Sequence, residues 1–281
     1  MPSSALGTPE RHPEGRAAEP ATCGDLLREA RRRQRLSQLD LAMRVGASQR
    51  HLSFVETGRS TASRGMLIAL ADALGMSPAG CNQLLLASGF APRYGQRPLD
   101  DVQMAPIRAA LDHLLAVHDP CPAWVLNPGW DVVQFNRGAD RLLEWLTGVP
   151  MSARPAPVNL LEAVLHPEGL RRFILNFDEV AAHLYHQTRA EAAHAPALAD
   201  QLVRIDALWP LSVTGRPAAD PGAARAPVLA TRLSSPQGPL AFFSTITTFG
   251  SPLDTTVASL RVEHQFAADA QTAAVMQRLA G

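Results

Sequence analysis

The chain of 281 residues is 46% hydrophobic and 19% charged, a composition typical of globular proteins with room for two domains. It has no run of about 18 apolar residues and no CxxC pair among Cys23, Cys81 and Cys121, so neither a membrane span nor a metal or dithiol site is predicted. The net charge is zero, but residues 22–97 carry +6 and residues 98–281 carry −5. This asymmetry indicates that only the first region meets a polyanion.

Residues 1–21 are rich in Pro, Gly, Ala and Glu and lack the apolar centre of a signal peptide, which predicts a disordered tail on a cytoplasmic protein. A small helical domain is predicted over 22–90, because each of its short helical segments is bounded by Gly, Ser or Pro. These segments are Asp25–Arg35, Ser37–Val45, Ser48–Thr57, Ser63–Leu74 and Pro78–Ser88. Residues 91–105, with Pro, Gly and charge but no periodicity, are predicted to be a linker.

The remaining residues, 106–281, predict a second domain with strands at both ends. After a helix over Ala105–Ala116, two strands are predicted on either side of the turn Asn127-Pro-Gly129. A helical block follows from about 138 to 208, and further strands are predicted over Val228–Leu233, Leu240–Phe249 and Ser259–Phe266. The predicted fold class is a multidomain α+β protein, in which an all-α bundle precedes an α/β domain with an antiparallel sheet.

Residues 37–59 have the spacing of a helix-turn-helix. Ser37 and Ser48 are suited to cap its two helices, and Gly46 stands where the turn between them requires a positive φ. With Leu52 and Val55 facing inward, the outer side of the second helix predicts contacts to base edges in the major groove of double-stranded DNA. The predicted base-contacting residues are Gln49, Arg50, His51, Ser53 and Phe54, and the predicted phosphate-contacting residues are Gln38, Ser48 and Arg59. The alternatives are an ordinary small bundle and, for Phe54, simple packing.

The spacing of Ser37-Gln38, Leu41-Ala42, Gly46, Ser48, Leu52-Ser53, Glu56 and Gly58 resembles that of the Cro and phage-repressor (XRE) helix-turn-helix family. This resemblance covers residues 23–90 and implies a lambda repressor-like bundle. It also implies that Glu56 pairs with Arg31 as an internal strut. Ala47 departs from the β-branched residue that the family prefers, and Phe54 departs from a polar base-reading residue.

Most of the aromatic residues lie in the second domain, which is consistent either with an ordinary core or with an apolar pocket between the sheet and the helical block. In the pocket interpretation, the candidates to meet a ligand carboxylate are Arg171, Arg172, His183 and His186, beside an apolar helical stripe. The predicted pocket residues are Trp124, Trp130, Phe135, Arg172, Phe173, Phe177, His183, Leu184, Trp209 and Phe243.

The segment around Trp130-Asp131, Asn136, Ala139, Asn159-Leu160, Leu165-His166-Pro167, Gly169-Leu170 and Trp209 resembles the ligand-binding domain of MmyB-like regulators. That resemblance spans about residues 106–266 and implies a PAS-like fold that holds a hydrophobic ligand such as a fatty acid.

We therefore predict a transcription regulator, located at the bacterial nucleoid, that binds DNA as a homodimer and senses a small hydrophobic ligand. It requires no cofactor, and neither a membrane nor a metal is predicted as a partner. No catalytic motif such as GxSxG, HExxH or a Walker loop is present, so an enzyme is not predicted. Two alternatives remain. The second domain could only dimerise, which the lack of a closed cavity would favour, or it could bind a protein through exposed aromatic residues.

Overall fold

The computed structural model describes residues 21–192, 198–209 and 228–281. These residues form two compact units, one of residues up to 76 with 80–93 and one of residues 77–79 with 94–281. Residues 1–20, most of the predicted disordered tail, lie outside the described part of the chain.

The first unit contains five short helices around a core of leucines. They are α1 Cys23–Arg33, α2 Gln38–Arg44, α3 Gln49–Glu56, α4 Arg64–Ala73 and α5 Pro78–Ala87. Side-chain oxygens cap the first four at their N-termini, from Thr22, Ser37, Ser48 and Ser63. Between α2 and α3 the chain turns at Gly46, whose φ of +67° lies in the left-handed region that favours glycine. Capping and turn chemistry written in the sequence therefore set the bounds of these helices.

The second unit is built on a five-stranded antiparallel sheet with the order β2-β1-β5-β4-β3. Its strands are β1 Ala123–Leu126, β2 Val132–Phe135, β3 Ala230–Leu233, β4 Leu240–Thr247 and β5 Arg261–Ala267. Its helices are α6 Ala105–His118, α7 Arg137–Thr147, α8 Leu160–Leu165, α9 Phe177–Ala192, α10 Ala199–Leu208, α11 Thr255–Ser259 and α12 Ala270–Ala280. The predicted fold class, a helical bundle followed by an α+β domain with an antiparallel sheet, is confirmed.

Two details differ from the prediction. The helical block predicted after β2 contains helices α7 to α10, but the C-terminal helix α12 was not predicted. Residues 94–105, predicted as linker, belong to the second unit: Arg97 forms a 3.2 Å ion pair with Asp254, whose side chain also accepts a hydrogen bond from the Arg97 backbone N–H. These contacts involve residues more than 150 positions apart, which no local pattern reveals.

Each face of the sheet has its own hydrophobic core. On one face, Leu111 and Leu115 of α6 pack against Val125 and Val262 of the central strands. On the other face, side chains from β1, α8, α9 and α10 form a second cluster, namely Leu126, Trp130, Leu160, Leu161, Leu165, Ala181, Ile205 and Trp209. Alternate residues of each strand therefore serve different cores.

A buried asparagine joins the sheet to α7. Asn136 is 5% exposed, and its Oδ1 accepts 2.9 Å hydrogen bonds from the backbone N–H groups of Ala123 and Ala139. Its Nδ2 donates to the carbonyls of Cys121 and Leu115 at 2.7 and 3.3 Å. Since all four hydrogen-bonding positions of the amide are filled, its burial costs little, and the start of α7 is held against the sheet.

Candidate nucleic-acid interface and internal cavity

Helix α3 divides into a buried side and an outer side. Leu52, Val55 and Glu56 are buried in the bundle, whereas Gln49 and Arg50 are exposed at the start of the helix. The other three predicted base-contacting residues, His51, Ser53 and Phe54, are half-buried. The five predicted residues thus share the first two turns of α3, and each retains some exposed surface.

Phe54 lies beside Arg50, one helical turn away. The Arg50 guanidinium carbon is 5.4 Å from the centre of the Phe54 ring, which is within cation–π range. An aromatic residue at this position therefore supports the arginine in the unbound protein. This contact gives Phe54 a physical role that does not require its ring to touch a base.

Two of the three predicted phosphate-contacting side chains also make internal hydrogen bonds. Gln38 Nε2 donates to Glu56 Oε2 at 2.9 Å, and Ser48 Oγ accepts from the His51 backbone N–H at 3.1 Å as the cap of α3. Arg59, just after α3, is exposed. The Gln38 amide has a second N–H, so its internal bond leaves one donor for a further partner.

Arg31 and Glu56 form a two-point ion pair between α1 and the end of α3. Arg31 Nε and Nη2 donate to the two carboxylate oxygens at 2.7 and 2.9 Å, and Arg31 Nη1 donates to the Leu36 carbonyl at 2.8 Å. Burial by itself would raise the pKa of the Glu56 carboxyl, but hydrogen bonds from Arg31 and Gln38 and the arginine charges hold it below its ordinary value. The carboxylate is therefore ionised, and it holds α3 on α1.

In the second unit, a cavity of about 400 Å³ lies between the sheet and the helices α7, α8 and α9. The helices contribute mainly leucine and valine side chains. Each strand contributes alternate residues, because these side chains share the sheet face that is turned toward the helices. The lining helix residues are Leu142, Leu143, Leu146, Leu160, Leu161, Val164, Val180, His183, Leu184 and Gln187, and the lining strand residues include Trp124, Thr231, Leu233, Phe242, Ser244, Ile246, Arg261, Glu263 and Gln265. The wall is thus mainly apolar, and its charged groups Arg261 and Glu263 lie on β5.

The polar groups on β5 differ in how fully they are paired. Glu263 accepts hydrogen bonds from Trp124 Nε1, Ser244 Oγ and Gln265 Nε2 at 3.1, 2.7 and 2.9 Å. Arg261, two residues earlier on the same face, pairs through Nη1 with Glu191 of α9. Arg261 therefore joins the cavity wall to the last turn of α9.

Trp130 enters the cavity wall from a turn with unusual backbone geometry. Its φ is +67°, a conformation that a bulky side chain rarely adopts. The turn is held by hydrogen bonds from the Trp130 N–H to the Asn127 carbonyl at 3.0 Å and from the Leu160 N–H to the Trp130 carbonyl at 2.8 Å. This turn places Trp130 in the cavity wall, and a strained backbone of this kind is common at binding sites.

The comparisons with known proteins agree with this two-part arrangement. The family model described as the MmyB-like transcription regulator ligand binding domain matches residues 107–279, more than half of the chain. The chain belongs to the MmyB-like family of transcription regulators. A helix-turn-helix domain model matches residues 23–84. This MmyB-like regulator is thus a DNA-binding transcription regulator with a C-terminal ligand-binding domain. Among curated proteins, none matches the chain.

Of the ten residues predicted to form the pocket of the MmyB-like regulator, four line the cavity: Trp124, Trp130, His183 and Leu184. Arg172 lines a smaller neighbouring cavity of about 200 Å³ that shares Trp124, Leu143, Leu160 and Leu170 with the first. The other five predicted residues, Phe135, Phe173, Phe177, Trp209 and Phe243, do not line the main cavity.

These five aromatic residues have other partners or positions. Trp209 belongs to the closed core and Phe177 packs against it, while Phe173 lies under the Arg172 guanidinium. Phe243 stacks on Phe266 across β4 and β5. Phe135 pairs with Trp124 across β1 and β2 without reaching the cavity.

The sequence analysis missed Arg261 and Glu263 of this MmyB-like regulator. Both lie in a strand that was predicted, and strand alternation puts them on the same side. That side could have been identified as the cavity side once the pairing of β5 with β1 was known.

Two further properties of the MmyB-like regulator concern the described residues alone. No helix in residues 21–192, 198–209 and 228–281 is both long and apolar enough to cross a bilayer. Within the same residues, His, Cys, Asp and Glu side chains form no group of three that could hold a metal ion.

Proposed function

We propose that this MmyB-like regulator binds its operator as a homodimer, and that a small hydrophobic ligand in the C-terminal cavity changes its affinity for the operator. The observation that carries the proposal is the cavity itself. Its volume of about 400 Å³ lies within the usual range for small-molecule sites, about 300–1,000 Å³. Its mainly apolar wall with a few polar groups is typical of such sites.

A fatty acid is our candidate ligand. The leucines of α7 and α8 offer an apolar surface for a hydrocarbon tail, and the polar residues of β5 offer partners for one head group. Burial of each methylene contributes about 0.8 kcal/mol, so a medium-length chain gains enough free energy to bind without further contacts.

The cavity also bears on the two alternatives to ligand sensing, a second domain that only dimerises and one that binds a protein partner. A domain that only dimerises needs no apolar cavity, and a domain that docks a protein partner needs aromatic residues clustered on its surface. Trp124, Trp130 and Phe242 contribute instead to the cavity wall. This placement supports ligand binding over both alternatives.

For the DNA-binding domain we propose that α3 lies in the major groove with Gln49 and Arg50 at the base edges. One recognition helix reads only a few base pairs, so a dimer on a two-fold operator supplies the specificity that a single copy lacks. A ligand can alter operator affinity only if it binds the DNA-competent state more or less tightly than the other state.

Native mass spectrometry of the purified protein, followed by denaturation and extraction of small molecules, tests the proposed ligand. We expect a dimer that releases a lipid-like compound. Addition of that compound at saturating concentration should change the operator dissociation constant at fixed salt. An unchanged constant would contradict the coupling, and a protein that binds no apolar compound would contradict ligand sensing.

Arg50→Ala should weaken operator binding by about 1–3 kcal/mol, because an arginine that bonds a guanine edge is lost. The change should be measured by fluorescence anisotropy on operator DNA and on random DNA of equal length. Arg278→Ala, an exposed arginine of α12, is the matched control and should leave both affinities unchanged. Equal losses on operator and random DNA would show that Arg50 contacts phosphate and not bases.

A further inference from the structure

The cavity wall contains a buried arginine whose hydrogen-bonding capacity is half used. Arg261 is 8% exposed, and its Nη1 donates to both carboxylate oxygens of Glu191 at 2.8 and 2.7 Å. Its Nε and Nη2 are buried and have no hydrogen-bond partner among the residues that the structure describes. A buried charged donor without an acceptor is unfavourable, so an acceptor oxygen that a ligand brings to this edge would be stabilised there.

The unpaired edge of Arg261 has the geometry that binds a carboxylate. Nε–H and Nη2–H point the same way from a planar guanidinium and match two oxygens of one carboxylate. The same chain shows this match elsewhere, since Arg31 holds both oxygens of Glu56 with its own Nε and Nη2 at 2.7 and 2.9 Å. In Arg261 the equivalent pair of donors has no acceptor among the described residues.

A third unpaired donor belongs to the indole that lies against the guanidinium. The Arg261 guanidinium carbon is 4.0 Å from the centre of a ring of Trp130, and Trp130 Nε1 is also buried without a partner among the described residues. Both residues line the cavity. Three neighbouring donors without an acceptor favour a ligand that brings acceptor oxygens.

The acidic residue in the same wall does not compete for this role. Glu263 already accepts hydrogen bonds from Trp124, Ser244 and Gln265. A cationic head group would therefore find a carboxylate that is already well paired. Glu191, the partner of Arg261, keeps a side-chain exposure of 31%, so water still solvates part of its charge.

We propose that Arg261 is the specificity-determining residue of the cavity, and that its Nε and Nη2, with Trp130 Nε1 beside them, bind the carboxylate of an apolar acid. This inference rests on the proposed function of the cavity and adds the residue that recognises the ligand's head group. The Nη1 contact with Glu191 uses the opposite edge of the guanidinium, so Nε and Nη2 can receive the ligand.

The test compares three probes with the same twelve-carbon tail: dodecanoate, dodecanol and dodecylamine. Each is titrated into the full-length, lipid-stripped protein at about pH 8, below its aggregation concentration, by isothermal titration calorimetry. We expect dodecanoate to bind at least about ten-fold more tightly than dodecanol, as charge-assisted hydrogen bonds predict. Arg261→Gln should bring this ratio close to one by weakening dodecanoate alone.

Glu191→Gln separates recognition from a structural role. This variant removes a negative charge beside Arg261 and should leave dodecanoate binding unchanged or tighten it. If the ion pair were needed only for folding, Glu191→Gln and Arg261→Gln would both bind dodecanoate more weakly. Arg189→Gln, an exposed arginine of the same helix, is the control and should keep the ratio of the unmodified protein. If Arg261→Gln does not fold, the preference of the unmodified protein for dodecanoate over dodecanol and the effect of Glu191→Gln still test the proposed role of Arg261.

Equal binding of dodecanoate and dodecanol, or a preference for dodecylamine, would overturn the role of Arg261 and leave an apolar ligand site intact. Weaker dodecanoate binding by Glu191→Gln would also overturn it. Failure of all three probes to bind would overturn the proposed ligand-sensing function together with this inference.

Discussion

Replacement of Glu56 by alanine is expected to destabilise the helix-turn-helix domain by about 3–5 kcal/mol, the usual cost of removing one partner of a buried ion pair. The Glu56 side chain is 1% exposed and accepts three side-chain hydrogen bonds, from Arg31 and Gln38. Without it, the Arg31 guanidinium stays largely buried with an unpaired charge. A loss of this size removes much of the 5–15 kcal/mol that stabilises a typical domain.

The distribution of tryptophans gives this experiment an internal reference. All four tryptophans, Trp124, Trp130, Trp145 and Trp209, lie in the second unit. In urea unfolding, the far-ultraviolet circular dichroism of Glu56→Ala should show an early helical transition, while the tryptophan fluorescence transition should stay in place. Glu29→Ala, which removes a 62% exposed carboxylate paired with Arg33, should cost about 0.5 kcal/mol or less. A similar cost for the two variants would show that the buried pair adds nothing to stability.

The same pair predicts a pH dependence. The pKa of Glu56 is lower in the folded domain than in an unfolded chain, because hydrogen bonds from Arg31 and Gln38 outweigh the effect of burial. Its stabilising contribution is therefore complete at neutral pH and is lost as pH falls through the folded-state pKa. The stability difference between the unmodified protein and Glu56→Ala should shrink over this acidic range. A stability difference that is constant with pH would contradict a lowered pKa of Glu56 in the folded domain.

Gly138→Ala is expected to destabilise the ligand-binding domain by about 3 kcal/mol, at the upper end of the cost of overpacking. Gly138, in the first turn of α7, lies so close to the preceding turn that an added Cβ would be 2.1 Å from the Pro120 carbonyl oxygen and 2.8 Å from that of Cys121. Backbone atoms cannot rotate away as a side chain can. The start of α7 must therefore move away from Pro120, and this movement displaces Leu142 and Leu143 in the cavity wall.

In urea unfolding of Gly138→Ala, the tryptophan fluorescence transition should shift to a lower urea concentration, because all four tryptophans lie in the same unit as Gly138. Gly250→Ala is the matched control, because its added Cβ meets no atom within 4 Å and its backbone φ is not positive. Binding of an apolar probe such as dodecanoate should weaken in Gly138→Ala and not in Gly250→Ala. Unchanged stability of Gly138→Ala would mean that the close approach of α7 to Pro120 is relaxed in solution.

The sequence by itself determined most of the DNA-binding domain. Its helices begin at capping side chains such as Ser37 and Ser48 and turn at Gly46, and these are local effects that act over three or four residues. Their spacing was therefore sufficient to predict the helices and the exposed side of α3. The strands of the second domain were likewise predicted within a few residues, because alternation and turn residues are also local.

The cavity depended on tertiary structure. Phe243 was predicted to line it, but its neighbour Phe242 does, since adjacent strand residues face opposite sides of the sheet and the local pattern does not say which side is which. Arg261 was overlooked because an arginine in a strand is ordinarily on the surface. Its burial follows from the pairing of β5 with β1 and β4 and from Glu191, 70 positions away. Contacts over such distances arise only when the sheet closes against α9, and that packing decides which side chains meet a ligand.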